Sequence, residues 1–509
     1  MTPPSFLGIR RRWFFSPTIL WGGLILSVLG WMFWAISGPV QWLDSGTYLV
    51  EAAHLPLLVT NQTPTFHPFY HMLTVIMHRL IGPTGVTHLN WALSIPLVAV
   101  IIGLSRAIGL NQPGTYVAVV AVLLVNNLFW VATKVEVYTL HLLLILSIYW
   151  IACLPLTPWR RFGLGLLGGL ALSTHQLTFI LCLPLAVWLL WSDRWRIWPI
   201  VLGAVLGLFS IYPAFVGTPY SLIDTLLFLM AKRFPNMPAE TELFRFDLMR
   251  AGLPYILLLI PSLIGFPLVG LIPTRFRRTH WLLWTAALFN LLFAVSYDVP
   301  DRFQFCLPGM AILAILGTHT WSNWFPLQSS FRHVITLFCV FIPPLAAGTV
   351  YGLTIMHVVT LPKHKVSLPF RQDVRYFMLP YLKDNSALQL VTAYEKQVPK
   401  GSMVLADRTI LEAFLSAQEI GLFKGRILVD IDALACQPDF KATHTVPTRY
   451  GLALSVPPVA STSTTYPPPP FPPAFKDTVY IIRYEDRIAD WVDLKKAPIG
   501  WIGTKKQSS

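Results

Sequence analysis

The chain has 509 residues, 54% of them hydrophobic and only 12% charged, with a mean hydropathy of +0.58. A soluble domain carries roughly 25% charged residues, so this composition excludes an ordinary soluble protein before any segment is inspected. The net charge of +14 is no sign of nucleic acid: most clustered Lys and Arg fall in short loops between apolar segments, where they set membrane orientation.

The N-terminus carries Arg10-Arg11-Arg12, then an apolar run from Thr18 to Ser37. It is too long for a signal-peptide core and lacks a small-residue cleavage site, so it reads as an uncleaved first span. A span needs about 20 apolar residues. Further candidates are 88–107, 115–132, 137–154, 197–217, 252–273, 279–296, 303–319 and 332–355. The stretch 162–192 lies between Arg160-Arg161 and Arg194/Arg196, and both basic ends prefer the cytoplasm. It is therefore expected to cross twice as two short helices, broken near Ser173-Thr174-His175-Gln176. The stretch 68–82 is short and holds His71, His78 and Arg79. As a full span it would turn every later basic cluster outward, so it reads as an interfacial or re-entrant helix.

This gives an all-α polytopic bundle of about eleven transmembrane helices over residues 1–355, with the N-terminus cytoplasmic. A small extracytoplasmic α/β domain follows over 356–509. Its strands are expected at 402–406, 426–431 and 478–483 and its helix at 409–420, with a Pro-rich extended loop at 457–473. No internal repeat is visible. Cys153, Cys182, Cys306 and Cys339 sit in apolar segments and Cys436 in the polar part, which makes neither a disulfide framework nor a zinc site. His71 and His78 are not a zinc signature either, and no cofactor is expected.

The expected outer loops hold the unusual residues. The long first loop, 38–87, carries Asp44-Ser45-Gly46, Glu51, His54, His67 and His71. Lys134, Glu136 and Tyr138 stand in or beside the second, His175-Gln176 in the third, and Asp301-Arg302 after Tyr297 in the fifth. Ionisable groups at membrane depth are costly and usually face a cavity or each other, so these loops are expected to share one site. Each residue also has a plainer reading. Asp44 or Ser45 can cap a short helix over 46–55, Glu136 can pair with Lys134, His175 can be a satisfied turn histidine, and Asp301-Arg302 can be a local ion pair at a helix start.

Four stretches, in order, carry a resemblance: WLDSGTYLVEAAHL (42–55) with His67-Pro68, NNLFWVATKVEVYTLHLLL (126–144), GLALSTHQLTFILCLP (169–184) and YDVPDRFQFCLP (297–308), with RQDVRYFMLP (371–380) as a weaker fifth. They resemble the GT-C superfamily of membrane glycosyltransferases, and within it the bacterial family related to the animal O-mannosyltransferase of plexin and IPT domains. The chain departs from that family at Thr47, where relatives tend to have an acid, at Phe69-Tyr70-His71 after His67-Pro68, and at Thr174-His175-Gln176.

The resemblance implies transfer of a sugar from a polyprenyl-phosphate donor to a hydroxyl of a protein, lipid or glycan, in a bacterial inner membrane. It implies Asp44 as general base with inversion, Lys134 and Arg302 at the phosphate, and His67, Glu136, Tyr138, His175, Gln176 and Asp301 at the sugar or acceptor. The competing reading is a polytopic transporter or lipid flippase. Transporters tend to show repeated halves with broken helices at the midplane, and here the polar residues are expected at one face alone.

Overall fold

The computed structural model describes residues 17–54, 67–193, 196–211, 259–273, 277–296, 303–325, 330–358, 368, 370–430, 478–481, 492–498 and 501–505. The Pro-rich stretch 457–473, the outer loop 218–251 and Asp301-Arg302 lie outside them.

The described chain is mostly helical. In order come α1 (Pro17–Ala35), α2 (Leu43–His54), α3 (Pro68–Ile81), α4 (Pro83–Ala107), α5 (Gln112–Leu123), α6 (Asn126–Ala132), α7 (Tyr138–Ala152), α8 (Pro158–Thr174), α9 (Thr178–Asp193) and α10 (Trp198–Leu208). Then follow α11 (Ile260–Leu263), α12 (Phe266–Gly270), α13 (Arg278–Ser296), α14 (Leu307–Trp324), α15 (Ser330–Val340) and α16 (Ile342–Ile355). Several starts are written locally. Asn111 caps α5 by accepting the Gly114 N–H, and Thr157 caps α8 by accepting the Arg160 N–H, each with proline in the first turn.

Each apolar segment expected to span is at least partly helical, but the count of eleven is not reached by length. Among the described residues α1, α4 and α13 are long and apolar enough to cross a membrane. The bent pairs α5–α6 (68°) and α15–α16 (46°) raise the number to five if each is one span. Other apolar helices, among them α7, α9 and α10, are shorter. Of the expected span 252–273, residues 259–273 are described and hold the short helices α11 and α12. The stretch 162–192 does divide into two helices, α8 and α9, with His175 in extended conformation between them.

The bend between α5 and α6 leaves backbone groups without helical partners in a buried place, and other parts of the chain supply them. The Tyr381 hydroxyl donates to the Leu124 carbonyl (2.9 Å). The Asn127 N–H donates to Ser262 Oγ (3.1 Å), and the Asn126 and Asn127 amides reach the carbonyls of Phe377 and Phe303.

Small residues set one of the close helix contacts. Gly165 and Gly169 of α8 face Gly203 and Gly207 of α10. A Cβ on any of them would run into backbone of the other helix: Ile200, Ala204, Phe162 and Leu166 respectively. This is a reciprocal small-xxx-small interface, in which dispersion between backbones replaces side-chain packing. At the end of the bundle where α8 begins, Arg160 donates to the Pro155 carbonyl (2.8 Å) and Arg278 lies 3.7 Å from the Trp188 ring centroid. Residues 36–42, 84–90, 124–137 and 174–177 lie at the opposite end.

After α16, α17 (Asp373–Met378) and α18 (Ser386–Gln397) lead into a mixed sheet. Its strands are β1 (Met403–Ala406), β2 (Ile427–Asp430), β3 (Thr478–Ile481), β4 (Val492–Lys496) and β5 (Trp501–Lys505), in the order β2-β1-β3-β5-β4. β1 runs parallel to β2 and β3, and α19 (Arg408–Glu419) is the crossover between β1 and β2. Asp407 caps α19, accepting the N–H groups of Thr409 and Ile410. The three strands and one helix expected from the sequence are present, and β4 and β5 add an antiparallel edge. The segment 376–381 is tied to the bundle by Trp31 and Trp130, whose indoles donate to the carbonyls of Tyr381 (2.9 Å) and Tyr376 (3.0 Å).

Gly169→Leu should lower the thermal unfolding midpoint in detergent by several degrees, since overpacking costs about 1–3 kcal/mol or more. Gly168→Leu, where an added Cβ meets nothing within 4 Å, should leave it unchanged.

Candidate active site

The first outer loop delivers α2. The helix starts two residues earlier than a cap at Asp44 allows and three earlier than a cap at Ser45. Leu43 is its first residue and adopts a left-handed backbone (φ 51°), which a bulky side chain rarely does. Asp44 therefore lies in the first helical turn, where the helix dipole favours an acid, and its side chain is exposed. Ser45 points the other way. It is buried and donates to Glu136 Oε1 (2.9 Å). Glu136 is 7% exposed, so the two carboxylates have opposite environments.

Glu136 is placed by Asn90 of α4. The Asn90 side-chain amide donates to the carbonyls of Val131 (3.1 Å), Lys134 (2.7 Å) and Glu136 (2.6 Å). Gln41 adds a fourth tie by accepting the Val135 N–H (3.2 Å). The loop 133–137 thus has one conformation, dictated by two side chains from other elements. Tyr48 on α2 packs edge-on against Tyr70 (5.1 Å between centroids), and Tyr70 donates to Asn90 Oδ1 (3.4 Å). Burial pushes the Tyr48 phenol well above its ordinary range, and the carboxylates of Asp44 and Glu136 push it further. One phenol therefore feels both acids, and at neutral pH it is a neutral donor.

The histidines form the next layer. His67, just before α3, bonds the Thr174 carbonyl through Nδ1 (2.7 Å). Its ring stacks on His175 at 5.0 Å and 21°. His175 Nδ1 accepts the Leu177 N–H (3.1 Å), and its ring meets Tyr138, His141 and Phe305 at 5.3, 5.3 and 5.6 Å. Gln176 follows in the same turn, half-buried. Residues from the first, second and third outer loops thus share one cluster. Of the fifth, Asp301 and Arg302 lie outside the described residues, but Phe305, three positions on, packs against both Tyr138 and His175.

Lys134 is placed differently from a phosphate ligand in open contact with substrate. Its ammonium is buried, donates to Ser37 Oγ (3.3 Å), and lies 5.2 Å from the Trp130 ring and 4.6 Å from the Tyr376 ring. Arg371 approaches the same Tyr376 ring at 4.7 Å and bonds Asp373 (2.7 Å). His71 lies 3.7 Å from Glu51. Among the described residues no group of three or more His, Cys, Asp or Glu side chains could hold a metal ion.

Sequence reasoning did not single out Tyr48, Asn90, His141 or Arg371 as site residues. His141 and Arg371 stand inside blocks that carried the resemblance, and Tyr48 stands beside Asp44. Asn90 had no signal beyond being a lone amide in an apolar run.

Burial lowers the His67 imidazole to about 4 from its ordinary 6.5, against the opposing pull of the Thr174 carbonyl and Asp44. As pH falls the unfolded chain protonates first, so this histidine costs the fold stability between about pH 6.5 and 4 and costs nothing above. The thermal midpoint should fall with acidification across that window, and His67→Asn should flatten part of that slope.

No protein-family profile and no curated protein sequence matches the chain. Solved structures that overlap it include ArnT from Cupriavidus metallidurans bound to undecaprenyl phosphate, at 13% identity and a TM-score of 0.49, covering 81% of this chain and 86% of that one. The apo state of the same protein overlaps at 14% identity and a TM-score of 0.44, covering 82% and 90%. Overlap at that level establishes neither a common activity nor a common ligand.

Proposed function

We propose that this integral membrane protein is a GT-C-type glycosyltransferase that moves a sugar from a polyprenyl-phosphate donor to an acceptor hydroxyl, with inversion. One observation carries the reading. The blocks that resemble the O-mannosyltransferase-related family are the parts of the chain that meet. Ser45 with Glu136, His67 with His175, Tyr138 with His175 and Phe305, and Lys134 with Tyr376 each join two of those blocks. A transporter reading is less favoured, because this polar cluster gathers at one end of the bundle and not at its midplane.

The environments of the two acids divide their work. A base must reach the acceptor, and Asp44 is exposed. Glu136 is enclosed and holds Ser45, so it supports the helix that presents Asp44. In the transfer step the acceptor O–H gives its proton to the Asp44 carboxylate as its oxygen bonds the anomeric carbon. The bond from that carbon to the donor phosphate oxygen breaks, and its electron pair leaves with the phosphate. Attack from the side opposite the phosphate inverts the anomeric centre. Neutral donors at Tyr138, His175 and Gln176, the second ring nitrogen of His67 as an acceptor, and Glu136 and Asp301 would orient the sugar or the acceptor.

A groove of about 430 Å³ beside the cluster suits a lipid-linked donor. It is lined by Phe33, Trp34, Ser37, Thr84, His88 and Lys383 among others. Phe33 and Trp34 are half-exposed at its apolar wall. Ser37 also accepts from Lys134, so that buried charge stands directly behind the groove, where low dielectric lengthens its reach. Arg302 is the second phosphate candidate. The membrane assigned is a bacterial inner membrane, with the site on its extracytoplasmic face.

Purified protein should transfer label from at least one member of a panel of radiolabelled polyprenyl-phosphate sugars to a protein, lipid or glycan acceptor. Asp44→Asn should lower that rate by roughly 10²–10⁴ while leaving the thermal midpoint in place. A loss smaller than about tenfold would reject the base.

A further inference from the structure

Helix α2 is held from two sides. One is the bundle, through Ser45 and Glu136. The other is the C-terminal α/β part, whose helix α19 lies along it. At Gly46 an added Cβ would stand 2.7 Å from the Gln41 carbonyl oxygen and 3.0 Å from both the Cβ and the carbonyl oxygen of Glu412 on α19. Two of those three atoms are backbone and cannot swing aside. Around this contact the Gln41 N–H donates to Ser416 Oγ (3.4 Å) and the Trp42 indole donates to Ser386 Oγ (2.9 Å). At the far end of α2, His54 bonds Glu419 (2.5 Å). These partners lie 344 to 375 positions away in the chain, on both sides of Asp44.

A free helix of this length is not stable alone, and α2 opens on the strained backbone of Leu43. Its position must be imposed from outside. We propose that α19 is a positioning surface for the transfer reaction: through Gly46, Ser416 and Glu419 it fixes the angle at which α2 presents Asp44. The C-terminal α/β part is on this account a wall of the site. In the run Asp44-Ser45-Gly46 the acid does the chemistry, the serine ties the helix to the bundle, and the glycine admits α19. The proposal rests on the reading of Asp44 as base. It assigns Gly46 and Ser416 a positioning role, since neither needs to touch substrate.

The test uses full-length Gly46→Ala, Ser416→Ala and Glu419→Gln in proteoliposomes, with sugar transfer from the polyprenyl-phosphate donor and deuterium uptake over 43–54 as readouts. Gly46→Ala should lower kcat on the order of 10–100-fold and leave the donor KM within about threefold, because a misplacement near 1 Å acts on the reacting geometry. Uptake over 43–54 should rise. Ser416→Ala and Glu419→Gln should do the same to a smaller extent, and they carry the test if Gly46→Ala does not fold. Wild-type kcat in the folded variants, or a rise in donor KM that accounts for the whole loss, overturns the proposal. If Asp44→Asn is inactive while the positioning variants keep wild-type kcat, the base stands and the positioning role falls. If Asp44→Asn retains transfer, both fall.

Discussion

Backbone that leaves the helical form inside a membrane bundle must find its hydrogen-bond partners within the protein, and the candidate site is built around meeting that demand. One amide, Asn90, serves three carbonyls of the loop 131–136. The Tyr381 hydroxyl serves the carbonyl freed at the α5–α6 bend. The His67 ring serves Thr174 at the end of α8, and His175 serves the turn that follows. Groups that satisfy the backbone are thus also the groups that bring Glu136, His67 and His175 together, so structural need and site geometry are one arrangement.

That arrangement sorts like residues by environment. Asp44 and Glu136 are both acids, yet one is presented and the other enclosed because Ser45, on the next position of α2, turns inward. Lys134 and Arg371 are both cations beside the cluster, and both pack against the Tyr376 ring. The sign of a residue says what it can stabilise; its enclosure says whether a substrate can reach it.

Much of this was legible in the sequence. Basic residues at both ends of 162–192 required a double crossing, and the break falls at His175 as that argument places it. The succession of strand-like and helix-like runs over 402–431 and at 478 marked the β1–α19–β2 unit and β3. The loops expected on one side of the bundle meet in the pairs Ser45 with Glu136 and His67 with His175. Other features depend on partners too distant to read. Lys134 read as a phosphate ligand or as the partner of Glu136, because Tyr376, which boxes it in with Trp130, lies far along the chain. The start of α2 at Leu43 is set by packing against α19 and the bundle, which overrides the local preference for a capping Ser or Asp. Among the described residues, length and hydropathy pick out three to five spans, because α5–α6 and α15–α16 bend sharply and other apolar segments form shorter helices.

The glycines of α8 and α10 have a consequence for motion. Two helices whose main chains touch have no side-chain layer to shear, so neither can turn about its axis or slide without a backbone collision. They travel as a single rod. Any opening of the bundle would then have to occur along a seam that does not divide α8 from α10. His175, carried at the tip of α8, inherits that stiffness.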